Sequence, residues 1–513
     1  MTAETNIPFE TPIRTGLVGA EVFALVVVLA SLAAKAFVAL SLGLDGDEAY
    51  YALWSAYLSP GYLDHPPAVA VMTALGRLIG SDTLLGVRLL PFVAGIAVLA
   101  ALYRTGRLLL PGRSAAALAV AWYCLSLQGA VNFVATPDAP STLFWTLSLW
   151  AAAEAVIRSR PTWSLAVGLF AGAGLASKYT NAWFGIGLVV FLLGTPEGRR
   201  QFARWQLWAG GLVALLIFAP VLWWNYQHDW QSFLFQGARV VSFEEEFGRL
   251  VSEFVISQAV AMGPVLLLFA LLAIGAFFLG YGKRAGSRLA LPVLTTLPLL
   301  AYFLIHALHA RVEVNWLQPV APALALLGAA FVCLLPTRPF GRWIVAVASA
   351  LQLVSGLALI GFAYVQAAYY PLDLSYADRT RMLRGWDKLA AEVRQLADEA
   401  GAQVIWTEGN YRLTGELFFY GQAAGDSRPV RDIAPHPRYD FLPPQTRYPS
   451  ASPALLVASV KSPAAAADLP PRPEFSSNRL VTVLKRDEGA GRGEEYYAVL
   501  AVSGPTGALP RAD

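Results

Sequence analysis

The stretch LDGDEAYYALWSAYLSPGYLDHPP, Leu44 to Pro67, gathers Asp45, Asp47, Glu48, Asp64 and His65 among the rings of Tyr50, Tyr51, Trp54, Tyr57 and Tyr62. It follows directly on an apolar run from Leu17 to Leu44, long enough to cross a hydrocarbon core that needs roughly 20 residues. Tyr50, Trp54 and Tyr57 are spaced as one helical stripe behind acids that suit a helix start, which on its own describes an interfacial helix. The density of ionisable groups asks for more. Asp47, Glu48, Asp64 and His65 all fall close to membrane level, where charges are costly to hold and usually functional.

The rest of the chain has the composition of a membrane protein. Of 513 residues, 56% are hydrophobic and only 14% charged, with a mean hydropathy of +0.50. A water-soluble globule has no interior large enough to hide that balance, and repeated apolar runs explain it. The net charge of +3 is too small for the length to suggest a nucleic-acid partner. Cys124 and Cys333 lie inside apolar runs with no Cys-x-x-Cys spacing, so neither a disulfide frame nor a thiolate metal site is expected. The first run exceeds a signal h-region and follows MTAETNIPFETPIRTG, which has acids and a single Arg, so an uncleaved first span is expected.

Apolar segments recur near 17–43, 84–106, 115–132, 139–157, 163–177, 179–194, 206–224, 253–280, 290–308, 316–335 and 343–366. They predict a mainly α, polytopic membrane protein with about eleven transmembrane helices. The pair around Ser177 is short for two full crossings and is also compatible with a turn inside the membrane. If the spans alternate, Arg107, Arg113, Arg158, Arg160, Arg199, Arg200, Arg204, Lys283, Arg284, Arg288, Arg338 and Arg342 share one side, which the positive-inside rule makes cytoplasmic. The opening stretch, Asp138, Asp229 with Glu244 to Glu246, Arg311, Glu313 and everything after about Gln366 then face outward. His65, His228, His306, His309 and His436 fall on or near that outer face.

From about Tyr369 the sequence becomes charged and rich in proline. WDKLAAEVRQLADEAG spaces Trp386, Leu389, Val393 and Leu396 on one helical face and stops at Gly401, while AQVIW, ALLVASV, LVTVL and YYAVLAV read as buried strands. The expected organisation is a transmembrane domain over 1–366, a small extracytoplasmic α/β domain over 367–503 and a disordered tail over 504–513.

In order along the chain, GDEAYYALWSAYLSPGYLDHPPAVAV, ATPDAPSTLFWTLSLW, GLASKYTNAWFGIG, APVLWWNYQHDWQSFLFQ and EVNWLQPVAPALALL resemble the bacterial glycosyltransferase family 39 and its relatives. Those relatives include dolichyl-phosphate-mannose protein mannosyltransferases and, more distantly, the aminoarabinose transferase of lipid A. The resemblance implies a GT-C fold, a catalytic pocket on the extracytoplasmic side and a polyprenyl-phosphate sugar donor such as an undecaprenyl-phosphate sugar. It implies an inverting transfer to a lipid, glycan or protein acceptor, lipopolysaccharide among them, at the periplasmic face of the bacterial inner membrane.

Such a transfer needs a base for the acceptor hydroxyl and hydrogen-bond donors or cations for the departing phosphate. Asp47 holds the place of the family's first-loop catalytic aspartate. Glu48 is the second choice or an orienting group, against the simpler reading of a helix-start acid facing water. Asp138, between Pro137 and Pro140, matches a carboxylate that lines the pocket, or is a plain helix-start acid. Lys178, with Tyr179 beside it, and Arg311, with Glu313 as its local partner, are the cations on the outer side that a phosphate could use. His65, next to Asp64, stands where the aminoarabinose transferase has a lysine; an imidazole there gives up the permanent charge but can still donate a hydrogen bond. Asn225, Tyr226, Gln236, Asn315 and Trp316 are sugar-contact or interface-anchor candidates. No His-Glu-x-x-His type of spacing occurs, so no metal is assigned; Asp64, His65 and His228 are the side chains that would hold a divalent metal. A transporter or lipid flippase is the alternative class. It predicts inverted repeats and charges deep in mid-span, neither of which is seen.

Overall fold

The computed structural model describes residues 19–240, 247–281, 287–335, 339–372, 374, 378–433, 437–443, 452–467, 469–470, 472–486 and 495–505. Glu244 to Glu246, Lys283, Arg284, Arg338 and His436 lie outside them, as do residues 506–513 of the expected tail. The chain forms two compact units, one of 1–37, 64–69 and 91–362, the other of 38–63, 70–90 and 363–513. Residues 38–63 and 70–90, which the sequence assigns to a transmembrane domain over 1–366, thus cluster with the C-terminal part.

Among the described residues, six helices are long and apolar enough to cross a membrane, or up to eight if each of two sharply bent pairs is one span. The expected count of about eleven is not confirmed by these helices, and several of the apolar runs are interrupted for local reasons. The 115–132 run breaks after Cys124, where Ser126 caps a new short helix, Leu127–Ala130. The 253–280 run bends by 106° at Gly263, whose φ of 85° is left-handed and which precedes Pro264. The 163–177 run gives only the helix Trp163–Leu175, and the following run turns by 96° after Gly194. The 139–157 run does form a 20-residue helix, Asp138–Ile157, but it buries Asp138, Ser141, Thr142, Thr146, Ser148 and Glu154. Those polar groups face protein rather than lipid.

The first unit is packed with small residues. The helix Ala321–Leu334 buries nearly its whole length, and its alanines let neighbouring backbones approach closely. Helices Trp163–Leu175 and Trp205–Gln227 meet through Gly168 and Gly210, where any Cβ would strike the facing carbonyl.

The second unit is built on a five-stranded sheet of order β2-β1-β3-β5-β4, with β1 Val404–Glu408, β2 Val430–Asp432, β3 Pro453–Val460, β4 Phe475–Arg486 and β5 Glu495–Pro505. β2, β1 and β3 run parallel; β5 is antiparallel to β3 and β4. The four expected strands form, β5 running on to Pro505 into the expected tail, and the three-residue β2 is an addition too short for a sequence pattern to reveal. The helix Trp386–Glu399 buries Trp386, Leu389 and Val393 of the predicted face, with Leu396 half-buried. A second helix, Tyr411–Ala423, packs against Gly46–Ala56 so closely that a Cβ on Gly415 would lie 2.6 Å from the Tyr50 nitrogen. Leu53 accordingly shares a core with Trp386, Leu413, Leu417 and Val499. The aromatic stripe of the opening stretch is therefore interior to this unit: Tyr50 and Trp54 are buried, and Trp54 stacks on Tyr62 with ring centroids 3.8 Å apart.

Candidate functional site

The two units each hold one cluster of the residues singled out by the sequence. In the second unit the cluster grows from a helix start. Asp45 caps Gly46–Ala56 by accepting from the Asp47 amide at 3.0 Å, and Glu48 reaches back to the Asp45 amide at 3.1 Å. This capping box satisfies amides that would otherwise be orphaned at the helix start. Gly46 between them leaves the room that the Arg412 side chain fills.

Glu48 is fully buried and paired with Arg88, the guanidinium contributing Nε at 2.9 Å to Oε1 and Nη2 at 2.6 Å to Oε2. Arg88 also donates to the carbonyls of Ala39, Leu42 and Gly43 at 2.7 to 3.1 Å. The reading of Glu48 as a water-facing acid is corrected. Its oxygens bind a buried guanidinium fork and a backbone amide.

Asp47 is half-buried, and its Oδ1 accepts from the Tyr411 hydroxyl at 2.6 Å. Burial and the charge of Asp47 raise the Tyr411 phenol above its usual value, so it stays a protonated donor. Burial works against the neighbouring Arg412 guanidinium, but Tyr411, Asp47 and Asp45 together raise its pKa. Glu416, one turn further along the same helix, is fully buried with no hydrogen bond to either oxygen among the described residues. Burial, with Asp45 adding to it, lifts its pKa well above the ordinary range.

Asp45 carries a testable consequence. Burial, then the charges of Asp47 and Glu48, push its carboxyl up to about 6 despite the capping bond from Asp47 and the nearby Arg412. The unfolded chain releases this proton near pH ~3.9, so between about pH 4 and 6 the folded form holds more protons and stability falls as pH rises. Asn caps as well as Asp. Asp45→Asn is expected to flatten that slope, read as the thermal midpoint of the full chain in nanodiscs at several pH values; an unchanged slope would refute the assignment.

In the first unit the cluster centres on Asp138, buried at the start of Asp138–Ile157. Its Oδ1 accepts from Lys178 Nζ at 2.6 Å and its Oδ2 from Asn315 Nδ2 at 2.7 Å. The sequence-predicted Asp138, Lys178 and Asn315 are thus brought together from three separate segments. Lys178 sits in extended backbone ahead of the turn Tyr179–Asn181, and Asn181 accepts from Ser141 Oγ at 2.8 Å, tying that turn to the Asp138 helix. Tyr179 pairs with Ser232 at 2.9 Å and lies 3.4 Å from Asn225 Nδ2. The buried Asn225 Oδ1 has no partner among the described residues.

The other candidates stand differently. Asp64 is buried, and its carbonyl accepts from Gln236 Nε2 at 2.5 Å. Arg311 is half-exposed and lies 3.6 Å from Glu313, the local pair that the sequence allowed. His228 stacks on Trp224, with Nδ1 2.7 Å from that residue's carbonyl. Asp64, His65 and His228 do not come together, and no group of three or more His, Cys, Asp or Glu side chains with the geometry to hold a metal occurs among the described residues.

Sequence reasoning missed Arg88, Tyr411 and Arg412. Arg88 had a signal, being an arginine inside an apolar run. Tyr411 had none, since 364 residues separate it from Asp47.

The arrangement can be set beside known proteins. Residues 64–224 match the family described as dolichyl-phosphate-mannose-protein mannosyltransferase. The lipid A galacturonosyltransferase RgtD of Rhizobium johnstonii is 25% identical over 380 residues, covering 73% of this chain and 76% of that protein. Among solved structures, ArnT of Cupriavidus metallidurans bound to undecaprenyl phosphate superposes with a TM-score of 0.60 at 16% identity, over 93% of this chain and 97% of that one. The oligosaccharyltransferase AglB of Archaeoglobus fulgidus gives 0.52 at 10% identity, over 85% of this chain and 69% of that one. At such identities the structural likeness speaks for the fold alone. A sugar-transferase family model matched across the Asp138 and Lys178 segments and a lipid A glycosyltransferase similar along most of the chain point to a glycosyltransferase, and the fold of this multi-pass chain is like that of ArnT.

Proposed function

We propose that the protein is an inverting glycosyltransferase that moves a sugar from an undecaprenyl-phosphate donor to a lipid A-type acceptor at the periplasmic face of the inner membrane, with Asp47 as general base. The observation that carries this is the division of labour among the first-loop acids. Asp45 is spent on the helix cap and Glu48 on Arg88, whereas Asp47 is only half-buried and, among the described residues, uses a single oxygen, Oδ1, on Tyr411. A carboxylate held at one oxygen has the other free to take a proton from an acceptor hydroxyl.

Support for the donor is the undecaprenyl phosphate bound to ArnT, and for the acceptor the lipid A specificity in the name of RgtD. The periplasmic orientation rests on the arginine-rich loops of the opposite side. The Asp138–Lys178–Asn315 cluster serves the donor in this reading: Lys178, held in place by Asp138, has further N–H bonds to offer a phosphate, and Tyr179, Asn225 and Asn315 offer polar contacts to a sugar. Asp64, His65, Arg311 and Glu313 are assigned to the same substrate-binding role.

The test is mass spectrometry of lipopolysaccharide, polyprenyl-phosphate lipids and surface glycoproteins from a deletion strain. A sugar-sized mass missing from lipid A, with the donor lipid accumulating, is the expected result. Unaltered profiles in all three fractions would refute the proposal.

A further inference from the structure

Tyr411 approaches Asp47 from a helix that the sequence places in a separate domain, and the local structure fixes it there. Asn410 caps that helix through the Arg412 amide at 3.0 Å. The Tyr411 ring meets Tyr50 edge-on, with centroids 5.1 Å apart, and the Arg438 guanidinium lies 4.7 Å above it. Phenol and carboxylate then meet at 2.6 Å. The charged and titratable groups around them are Asp45, Glu48 with Arg88, Arg412, Arg438 and the buried Glu416.

An aspartate carboxylate turns easily about its last side-chain bond, because that torsion is broad and nearly two-fold. The cap at Asp45 fixes the backbone of residue 47 but leaves this rotation open. A phenol anchored by its own helix and rings removes it, and a hydrogen bond to a charged acceptor is among the stronger kinds. We propose that Tyr411 is a positioning residue that binds one oxygen of Asp47 and thereby aims the other at the acceptor hydroxyl. The inference rests on Asp47 being the base, and it makes the Tyr411–Ala423 helix part of the catalytic apparatus without contact to substrate.

Tyr411→Phe keeps the ring contacts and removes only the donor. In membranes carrying the full chain, the turnover rate for the product identified from the deletion strain is expected to fall about tenfold to a hundredfold, the range for a misaimed catalytic group. Binding of undecaprenyl phosphate, the probe of the donor side, is expected to stay within twofold of wild type. In an Asp47→Asn background, adding Tyr411→Phe should cause no further loss. A second readout needs no Tyr411 variant: with isotope-labelled tyrosine, the infrared difference between wild type and Asp47→Asn should show one phenol losing a carboxylate partner. Turnover of Tyr411→Phe within twofold of wild type, or an infrared difference without that tyrosine band, overturns the inference. An active Asp47→Asn enzyme would instead defeat the base assignment, so the two failures are distinct.

Discussion

Asp47→Asn is expected to lower the rate of sugar transfer by about 10²–10⁴, the contribution of a positioned general base. The amide is nearly the same shape and can still accept from Tyr411, so the Gly46–Ala56 helix, capped by Asp45 and locked by Glu48, should remain folded. The loss should appear in turnover and not in the amount of folded protein or in undecaprenyl phosphate binding. Product formation in membranes, with thermal unfolding of the purified protein as control, separates these outcomes. A variant that turns over at the wild-type rate would end the assignment of Asp47. It would leave the glycosyltransferase fold intact and move the search to Asp138, whose oxygens are both already bonded.

Arg88→Ala is expected to be the most destabilising single substitution in the second unit. It leaves the Glu48 carboxylate buried without its counter-ion and takes donors from the carbonyls of Ala39, Leu42 and Gly43. Removing one partner of a buried pair costs roughly 3–5 kcal/mol, chiefly because the remaining charge is stranded. The full chain should therefore unfold at a markedly lower temperature or fail to accumulate. The paired replacement Arg88→Met with Glu48→Met distinguishes charge stranding from lost packing, since replacing both ions with apolar groups is often close to neutral. Recovery of most of the thermal midpoint in the double variant is expected. A double variant as unstable as Arg88→Ala would show that the carbonyl bonds, rather than the ion pair, hold the segment.

The opening stretch shows how far sequence reading reached. Its acids marked a candidate site because charge beside an apolar run is expensive, and that argument needs no coordinates. The same argument applied to Arg88 would have found the partner of Glu48, since the arginine stands inside an apolar run. The aromatic stripe of Tyr50, Trp54 and Tyr57 suited a membrane interface by its spacing. Spacing does not say what covers a stripe, and here Tyr50 and Trp54 are interior to a protein core. Lys178 and Asp138 were picked separately; their pairing depends on how the Trp163–Leu175 and Asp138–Ile157 helices pack, which neither helix encodes alone. The breaks within the apolar runs have a similar origin, because hydropathy registers apolar length while Gly263, Pro264 and the Ser126 cap decide where the helix stops.

By itself the sequence determined that this chain lives in a bilayer, that its polar chemistry gathers in a few short stretches between apolar runs, and that an α/β segment closes it. These follow from free energies that are local in the chain: the cost of moving a residue out of water and the period at which side chains recur. Only the tertiary structure decided which acid is spent on the cap, which on an ion pair and which keeps one oxygen without a partner among the described residues. Asp45, Asp47 and Glu48 are nearly equivalent as letters, and they differ because a helix cap, a phenol from residue 411 and an arginine from residue 88 reach them from different parts of the fold. Hydrogen bonds and ion pairs act over a few ångströms in space, whatever the distance along the chain.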